Sequence, residues 1–423
     1  MNLIFYYCPQ NRYSMNALIA AAEKDEKLKK SNFFVIEKKG KLIKTLKKCT
    51  KTSQESFLLF SFFTPQLWEV KKLIGKIKRT VGDKIIAIAG GSHPTGDPKG
   101  TLEMGFDFVV HGEGEKTFPE LIKSIKNGKE KDQIKGISFF DDHNRYIYTG
   151  QRSYLDLDKY PPFPLEHTNY GPIEITRGCP YMCYFCQTSF LCGKKPRHRS
   201  IEEICKYITI LENENLTDIR FITPNAFAYG SKDGKELNLE KVEELLKRVK
   251  KIIGESGRIF FGSFPSEVRP EHVCKKTLAL IKKYGDNDNI IIGAQSGSQK
   301  ILDLCNRGHT VENIYEAVKI TNKMGLQANI DFIFGLPPEK TEDIKQTIHV
   351  MEDLIKLGGR IHAHTFIPLP QTPFETKKAS KLDKNLKKKL QNINYHGNLY
   401  GNWRKQEKLA LKISEYFRKK NNG

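Results

Sequence analysis

The stretch T-R-G-C-P-Y-M-C-Y-F-C-Q-T-S-F-L-C, residues 176–192, decides how the chain is interpreted. It places Cys179, Cys183 and Cys186 in the spacing Cys-x-x-x-Cys-x-x-Cys. Thiolates are the usual ligands of iron–sulfur clusters, and a 4Fe-4S cluster normally takes four of them. Three cysteines on one short loop would hold three irons and leave the fourth iron without a protein ligand. That iron could bind the amino and carboxylate groups of a substrate, just as the open coordination position of a catalytic zinc ion binds substrate. The spacing therefore predicts a 4Fe-4S cluster on this loop.

Zinc is the alternative metal for the same cysteines. A structural zinc ion takes four ligands, so Cys192 or His198 would have to complete the site. The flanks favour the cluster, because Gly178 lets the chain wrap closely and the apolar side chains within residues 181–185 would shield it from water.

The same stretch resembles the signature of the radical S-adenosylmethionine (SAM) superfamily, with an aromatic residue before the third cysteine. Four ordered segments are more specific than one three-cysteine loop, and the resemblance implies a radical SAM enzyme. The three later segments that match the superfamily, in its order, are I-I-I-G-A-Q-S-G-S-Q-K-I-L-D-L-C-N-R-G-H-T (290–310), D-F-I-F-G-L-P-P-E-K-T-E-D (331–343) and F-I-P-L-P-Q-T-P-F (366–374).

Length and composition set the broad class. A chain of 423 residues predicts two or three domains, and 39% hydrophobic residues can form a large core. No run of 18 apolar residues is present, so we expect no membrane contact. The first residues, M-N-L-I-F-Y-Y-C-P-Q-N-R, lack the features of a signal peptide. Nine irregularly spaced cysteines do not indicate a secreted disulfide scaffold, so we expect a cytoplasmic protein.

The formal net charge of +21 raises the question of a nucleic-acid partner. The lysines are spread along solvated helix faces with Asp and Glu between them, which is also common in proteins from hot environments. We therefore do not expect a nucleic-acid partner. An acidic protein is the more plausible partner for this charge.

The N-terminal part alternates strands and helices, which predicts a doubly wound, Rossmann-like α/β domain over residues 1–130. Ligands of such sheets bind beyond the carboxyl ends of the strands. The predicted strands are 1–7, 32–37, 55–63, 84–91 and 106–115, and the predicted helices are 16–24, 64–78 and 116–125.

Two glycine-bearing turns follow strands of this domain, G-G-S-H-P (90–94) and H-G-E-G-E (111–115). Ahead of a radical SAM signature, they resemble the cobalamin-binding domain of cobalamin-dependent radical SAM enzymes. The S-x-x-T turn of that family is also present, as Ser61 and Thr64. The resemblance implies a cobalamin site formed by Ser61, Thr64, Gly90, Gly91, Ser92, His93, His111, Gly112, Glu113 and Gly114.

The D-x-H-x-x-G motif, which supplies a cobalt-binding histidine in other cobalamin proteins, is missing. Neither His93 nor His111 is therefore assigned to cobalt, and both have simple turn or strand-end roles available. The loop from Pro9 to Ser14 is expected beside the cobalt face.

Residues 131–170 are predicted to form a hairpin and a proline-stiffened linker. A second series of six strand–helix repeats then predicts a partial (β/α)6 barrel over residues 171–374, with its chemistry at the carboxyl ends of the strands. Residues 375–423 are predicted to be a helical extension. Its aromatic stretch at 394–403 is expected to pack in the core, which we favour, or to cap the mouth of the barrel.

The resemblance also implies which strand-end residues bind SAM. We assign Asn225, Glu267, Gln295, Ser296 and Gly335 to this role on their match to family segments, and we assign no catalytic side chain. Gln295 departs from the family, where glutamate is frequent. Glu267 has an equally good alternative role in a surface ion pair with Arg269.

Such enzymes are implied to use a 4Fe-4S cluster, SAM and methylcobalamin, with an external electron donor. The cluster reduces SAM, a 5′-deoxyadenosyl radical takes a hydrogen atom from an unactivated carbon, and methylcobalamin delivers a methyl group. The chain resembles the small archaeal branch, which predicts a protein substrate, the Cα of a glutamine in the methyl-coenzyme M reductase α subunit. Another peptide residue, or a small molecule or pterin, is the alternative substrate.

Two other functions fit part of the chain. Methylthiolation of tRNA would use similar segments, but only Cys8 and Cys49 lie in the N-terminal half, too few for the second cluster of those enzymes. A cobalamin-binding sensor without catalysis would leave the three-cysteine loop without a purpose.

Overall fold

The computed structural model describes residues 1–167, 169–337 and 339–421, and divides into two compact units, Met1–Gly171 and Pro172–Gly423. The predicted hairpin and linker fall within the first unit. Thr168 of the linker, Pro338 of the segment 331–343 and the last two residues of the tail lie outside the described residues.

The first unit is built on a seven-stranded sheet with the order β2-β1-β3-β4-β5-β6-β7. The first five strands are parallel, and the two strands of the hairpin join antiparallel at one edge. Strands β1 and β3 are buried along their whole length, as expected for parallel strands covered on both faces. The strands are β1 Asn2–Tyr6, β2 Asn32–Ile36, β3 Ser56–Ser61, β4 Ile86–Gly90, β5 Phe108–Val110, β6 Ile137–Phe140 and β7 Tyr146–Tyr148.

The helices of this unit include three that the sequence did not predict. Helix α2 buries Leu42, Leu46 and Cys49 on one face, and the remaining positions are mostly lysine, which obscures the periodicity. Helices α4 and α5 have five residues each and meet at Asp97, whose carboxylate accepts a hydrogen bond from Gly100 N–H. The helices are α1 Arg12–Lys24, α2 Lys39–Cys49, α3 Leu67–Val81, α4 Ser92–Gly96, α5 Pro98–Leu102 and α6 Gly114–Lys126.

The second unit contains the six parallel strands of the predicted partial barrel. Strands β8, β11 and β12 form one group, and β13 to β16 form the other. A parallel bridge between Val268 and Ile292 joins the two groups. The strands are β8 Ile173–Glu174, β9 Thr176–Arg177, β10 Arg197–His198, β11 Asp218–Ile222, β12 Arg258–Phe260, β13 Asn289–Gln295, β14 Gln327–Phe334, β15 Arg360–Thr365 and β16 Leu399–Tyr400. The predicted fold class, a Rossmann-like domain followed by a partial barrel, is confirmed.

Helices cover the outside of the barrel strands, with apolar faces such as Val242, Leu245 and Leu246 of α9 packed inward. The tail contains an irregular segment at 375–383, two helices and the short strand β16, which pairs in parallel with β15. The aromatic stretch of the tail therefore extends the sheet. The helices are α7 Thr188–Cys192, α8 Ile201–Asn213, α9 Leu239–Ile253, α10 Lys275–Tyr284, α11 Gln299–Leu304, α12 Val311–Lys323, α13 Thr341–Lys356, α14 Lys384–Tyr395 and α15 Trp403–Asn421.

Among the helices of the described residues, none combines the length and the apolar character needed to cross a membrane.

Candidate active site

Three thiols converge on one cavity of the second unit. Cys179, Cys183 and Cys186 are free cysteines and all line a cavity of about 380 Å³. Burial raises the pKa of Cys186 to about 11, and the charges of Cys183 and Cys179 raise it further. A hydrogen bond with Thr188 opposes this rise. The three cysteines share one cavity wall, as ligands of one cluster must.

The backbone of the cysteine loop follows a path that requires glycine at position 178. Gly178 has φ of +94°, and a Cβ at this position would collide with the carbonyl oxygen of Lys195. The next residue is anchored as well, because Cys179 N–H donates to the carbonyl of Gly193 over 3.0 Å. The close wrapping expected at Gly178 is present in the structure.

A second segment, which follows α11, holds the loop from the other side. Tyr184 N–H donates to the carbonyl of Cys305 over 3.0 Å, and Asn306 Nδ2 donates to the carbonyl of Tyr181 over 2.8 Å. The guanidinium of Arg269 lies 3.4 Å from the centre of the Tyr181 ring, a cation–π contact. The loop is therefore fixed by residues more than 80 positions further along the chain.

Neither of the two candidates for a fourth zinc ligand, Cys192 and His198, is among the described residues that line the cavity. Both ring nitrogens of His198 are within hydrogen-bond distance of other groups, Nδ1 of Thr176 Oγ1 at 2.9 Å and Nε2 of the Ser231 carbonyl at 2.8 Å. Three thiols without Cys192 or His198 beside them fit a cluster with one open iron.

Arg307 contacts one of the three thiols. Its Nη1 lies 3.6 Å from Cys183 Sγ, and its Nη2 donates to the carbonyl of Gly293 over 2.6 Å. Burial lowers the pKa of Arg307, but the charges of Cys183 and Glu267 outweigh burial and leave the pKa raised. A buried guanidinium therefore faces a cluster ligand from inside the barrel.

Glu267 lies in the same cavity wall, and its carboxyl group is strongly perturbed. Burial raises the pKa of Glu267 to about 7, and the charge of Asp331 adds to this effect, while Arg307 and Arg269 oppose it. A buried carboxyl that titrates near neutrality, in a cavity with perturbed thiols, is typical of a functional site. The surface ion pair with Arg269 that we considered is not formed, since Arg269 pairs with Glu271 instead.

Two further predicted SAM residues lie in the cavity wall. Asn225 is buried, with Nδ2 2.7 Å from His272 Nδ1 and Oδ1 3.4 Å from Arg269 N. Gln295 ends β13 at a register shift and has φ of +76°, which is uncommon for a residue other than glycine. Strained backbone of this kind is concentrated at functional sites.

The structure places the other two predicted SAM residues elsewhere. Ser296 is fully buried, with its hydroxyl 3.2 Å from Thr347 Oγ1 of α13, and it is not among the residues that line the cavity. Gly335 has φ of +76° and donates its N–H to Glu339 Oε2 over 2.7 Å, which fixes the turn after β14. Any contribution of Gly335 therefore comes through the shape of the backbone.

The sequence interpretation missed three polar residues of the cavity wall, Asp331, His362 and His364. Asp331 and His362 are direct neighbours across the β14–β15 ladder, and His364 follows on the same face of β15. The signal in the sequence is the alternation H-A-H (362–364) on a strand whose partner carries an aspartate.

In the first unit, the candidate cofactor crevice lies at the point where strand order reverses. Strands β1 and β3 are neighbours, and their helices leave in opposite directions, which is the position where doubly wound sheets bind ligands. Asn11, after β1, donates from Nδ2 to the carbonyl of Ser61 at the end of β3. The hydroxyls of Ser14 and Ser61 lie 2.8 Å apart. The loop expected beside cobalt and the predicted S-x-x-T turn therefore meet.

The S-x-x-T turn is tied to the first glycine turn. His93 is fully buried, with Nδ1 3.1 Å from Thr64 Oγ1, and its ring packs on Phe62. Gly91 has φ of +93°, and a Cβ there would lie 2.7 Å from Ser61 Oγ. The turn thus packs so closely on the end of β3 that a side chain at this position would not fit. Gly90 ends β4 and Ser92 begins α4 in this turn.

The second glycine turn is held by the hairpin and by the first turn. His111 Nε2 lies 2.8 Å from Ser138 Oγ on β6, and burial lowers the pKa of His111 to about 4. Gly112 N–H donates to Thr95 Oγ1 over 2.9 Å. Each of these contacts gives the residue a structural role.

Glu113 and Gly114 of this turn contact the linker and helix α1, respectively. Glu113 Oε2 accepts a hydrogen bond from Leu155 N–H over 2.7 Å. Gly114 begins α6, where a Cβ would lie 2.8 Å from Leu18 Cδ2 of α1. These contacts lie within the first unit and do not test the cobalamin role of Glu113 and Gly114, which stays a prediction.

Comparison with known families assigns a domain to each unit. Residues 50–122 match the B12 binding domain, and residues 173–351 match the radical SAM superfamily. The chain therefore contains a B12-binding domain followed by a radical SAM domain. Its cofactors are a 4Fe-4S cluster, SAM and cobalamin, as predicted.

Similar proteins agree with this class. The chain is 27% identical over 294 residues to an uncharacterized methyltransferase of Pyrococcus horikoshii, a match that covers 66% of this chain and 61% of that protein. It is 28% identical over 307 residues to the tRNA-2-methylthio-N(6)-dimethylallyladenosine synthase of Ehrlichia ruminantium (strain Gardel), covering 71% of this chain and 63% of that protein. The chain thus spans less than two thirds of the length of either relative.

A solved structure has the same fold. The radical SAM methyltransferase TsrM of Kitasatospora setae, with cobalamin and a 4Fe-4S cluster bound, superimposes with a TM-score of 0.68 at 14% identity, covering 88% of this chain and 77% of that chain. At this identity the likeness shows a shared fold.

Proposed function

We propose that the protein methylates an unactivated sp3 carbon as a cobalamin-dependent radical SAM methyltransferase. The observation that carries the proposal is one chain with a B12-binding domain and, in its second unit, three cysteines in the wall of a 380 Å³ cavity. When bound, the cluster and SAM supply a radical that removes a hydrogen atom, and methylcobalamin supplies the methyl group.

The residues of the second unit would bind and orient the reactants. Cys179, Cys183 and Cys186 hold the cluster, while Arg307 places positive charge beside one of its ligands. Asn225, Glu267 and Gln295 offer polar groups to SAM from the carboxyl ends of the barrel strands. The remainder of the cavity wall limits access of water to the reacting carbon.

In the first unit, the crevice between the ends of β1 and β3 would receive the cobalamin. Its walls are Ser61 and the loop from Pro9 to Ser14, and Gly91 packs against Ser61. No histidine is proposed as a cobalt ligand, because Thr64 and Ser138 already engage His93 and His111.

The proposed substrate is a protein, the Cα of a glutamine in the methyl-coenzyme M reductase α subunit. The support is the resemblance of the whole chain to the small archaeal branch of this class, together with a composition rich in lysine, isoleucine and asparagine. An external protein would supply the electron that reduces the cluster.

The first test uses the full chain, reconstituted without oxygen and desalted. Iron per chain and the ultraviolet–visible spectrum after incubation with hydroxocobalamin are measured. About four irons and one retained corrin are expected for a single cluster and one cobalamin. Four irons without a corrin would overturn the methyl-transfer proposal.

The second test identifies the substrate. Synthetic peptides that span glutamines of the reductase α subunit are incubated with the loaded enzyme, a reductant and SAM labelled with deuterium in its methyl group. Mass spectrometry is expected to find one labelled methyl on glutamine Cα. Labelled methyl on no peptide, with SAM still cleaved, would direct the search to small molecules.

Methylthiolation of tRNA is the second candidate, favoured by the 28% identity to the Ehrlichia synthase. In the first unit only Cys8 and Cys49 are available, and both are buried. A count near eight irons per chain would favour this candidate, since two clusters would then be present.

A further inference from the structure

A second set of metal-binding side chains lies in the wall of the cysteine cavity. Asp331 of β14 and His362 of β15 are paired in register, and His364 lies two residues further on the same face of β15. All three line the cavity that the cluster cysteines line. They are partly buried, with 14% of the Asp331 side chain and 28% of the His362 side chain exposed.

The distances within this set match those among ligands of one ion. Asp331 Oδ1 lies 2.9 Å from His362 Nδ1, which lies 3.2 Å from His364 Nε2. The three ligand atoms all lie within 4.8 Å of one another. Atoms bound about 2.1 Å from one ion in octahedral or tetrahedral geometry are roughly 3.0–3.4 Å apart.

Hydrogen bonds among the three groups do not satisfy all of them. His362 Nδ1 faces both Asp331 and His364, but a neutral ring nitrogen carries either one proton or one lone pair. If it donates to Asp331, it offers no lone pair to His364. If it accepts from His364, its lone pair faces a carboxylate oxygen. One cation bound by all three atoms resolves this conflict.

We propose that Asp331, His362 and His364 bind a divalent first-row transition metal ion, Zn(II) or Fe(II), in the wall of the cysteine cavity. Two histidines and one carboxylate are a common ligand set for both ions, and three protein ligands leave positions open. Because all three residues line the cavity, the open positions face it. A carbonyl or carboxylate oxygen of the substrate is the class of ligand that would complete the site.

The surroundings orient His362 and identify Gln406 as the residue that limits affinity. The ring of His362 stacks on Tyr400 of β16, with centres 4.4 Å apart and planes 6° from parallel. Gln406 Oε1 accepts from Thr365 N–H over 2.9 Å, so Gln406 Nε2 is turned to His364 Nδ1 at 3.3 Å. Metal binding through His364 Nε2 places a proton on Nδ1, which needs an acceptor. Gln406 must then rotate its amide group so that Oε1 accepts from His364 Nδ1–H, and Thr365 N–H loses its acceptor.

This arrangement predicts that Gln406→Glu strengthens metal binding. A carboxylate accepts from Thr365 N–H with one oxygen and from His364 Nδ1–H with the other, and ligating histidines commonly donate to a carboxylate. Outer partners of this kind change metal affinity by roughly 10- to 100-fold.

The test removes the cluster so that it contributes no iron. The full chain carrying Cys179→Ala, Cys183→Ala and Cys186→Ala is prepared without oxygen and without cobalamin, incubated with Zn(II) or Fe(II), and desalted. Mass-spectrometric metal analysis is expected to find about one ion per chain. The double substitution His362→Ala and His364→Ala is expected to abolish this binding. Asp331→Asn is expected to weaken binding at least tenfold, and Gln406→Glu to tighten it.

His349→Ala provides the matched control, because His349 pairs with Asp353 on the surface of α13 at 3.5 Å without a third ligand. This variant is expected to retain the ion. Retention of no metal, or equal retention with and without His362 and His364, would overturn the proposal. If the three-cysteine variant does not fold, zinc is measured in the chain with its cluster, where iron and zinc are counted separately. The outcome does not depend on methyl transfer.

Discussion

Arg307 Nη1 lies 3.6 Å from the sulfur of Cys183, and both side chains are buried in the barrel. The same guanidinium donates to the carbonyl of Gly293, so its position is fixed by β13. A positive charge held this close to a cluster ligand stabilises the more negative, reduced state of the cluster.

Replacement of Arg307 by Gln is therefore expected to make the reduction potential of the cluster more negative. The shift is expected to be on the order of tens of millivolts, since 59 mV corresponds to about 1.4 kcal/mol for one electron. Redox titration followed by electron paramagnetic resonance measures it. Arg307→Lys keeps the charge and should recover part of the shift; an unchanged potential in Arg307→Gln would show that the guanidinium acts only in packing.

Iron content should distinguish the three cluster cysteines from the other thiols of the chain. Alanine at Cys179, Cys183 or Cys186 is expected to reduce iron from about four atoms to less than one per chain, because two thiolates do not hold a 4Fe-4S cluster. Cys192→Ala is the control within the same loop region, and Cys192 does not line the cavity. Loss of iron in that variant as well would place Cys192 among the ligands.

Gly91→Ala is expected to disturb the candidate cobalamin crevice. The residue has φ of +93°, and the new Cβ would lie 2.7 Å from Ser61 Oγ and 3.0 Å from Phe62 N. We expect a loss of about 1–3 kcal/mol in the free energy of unfolding and at least several-fold weaker retention of hydroxocobalamin. Gly40→Ala lies within α2 with no atom within 4 Å of its new Cβ, and should be neutral or stabilising by about 0.5–1 kcal/mol. Equal behaviour of the two variants would argue against a tight turn at Gly91.

His111 should make the stability of the chain sensitive to acid. Burial lowers its pKa to about 4 from an ordinary value of 6.5, so between these values the unfolded chain binds the proton and the folded chain does not. The contribution of neutral His111 is complete above pH 6.5 and is lost as the pH falls towards 4. Each pKa unit corresponds to roughly 1.4 kcal/mol.

Thermal unfolding of the cofactor-free chain between pH 7 and pH 4 provides the measurement, with His111→Gln for comparison. Glutamine keeps a hydrogen bond to Ser138 but does not titrate in this range. The melting temperature of the wild type should fall more steeply than that of the variant. Parallel curves would contradict the buried, neutral state of His111.

The sequence predicted features that depend on local pattern. The cysteine loop was found because its three ligands lie within eight residues, and β1 and β3 because buried parallel strands are almost wholly apolar. The S-x-x-T turn and the glycine turns could be placed at one sheet edge, since parallel strands end on the same side. Helix α2 was missed because lysines occupy five of its eleven positions and obscure its apolar face.

Features that depend on pairing between distant elements were not predicted. Asp331 and His362 meet only through the register of β14 and β15, 31 positions apart. Ser296 matched a family segment, but the packing of α13 places Thr347 against its hydroxyl. The role of Arg307 required the path of the chain after α11, although the segment that contains it was recognised.

Glu267 gives SAM binding an expected dependence on pH. Burial raises the pKa of its carboxyl group to about 7, so the group is mostly neutral at pH 6 and mostly charged at pH 8. A carboxylate in the cavity wall attracts the cationic groups of SAM, and the affinity for SAM should therefore rise as the pH passes through 7.

Glu267→Gln tests this expectation because the amide resembles the neutral carboxyl in size and does not titrate. Equilibrium dialysis with radiolabelled SAM and cluster-loaded chain is carried out at pH 6 and pH 8. The variant should match the wild type within a few-fold at pH 6 and bind roughly tenfold more weakly at pH 8, equivalent to about 1.4 kcal/mol. Any pH dependence that remains in the variant belongs to the ligand or the cluster. A variant that binds SAM as the wild type does at both pH values would remove Glu267 from the SAM site and leave Asn225 and Gln295 as the polar contacts to examine.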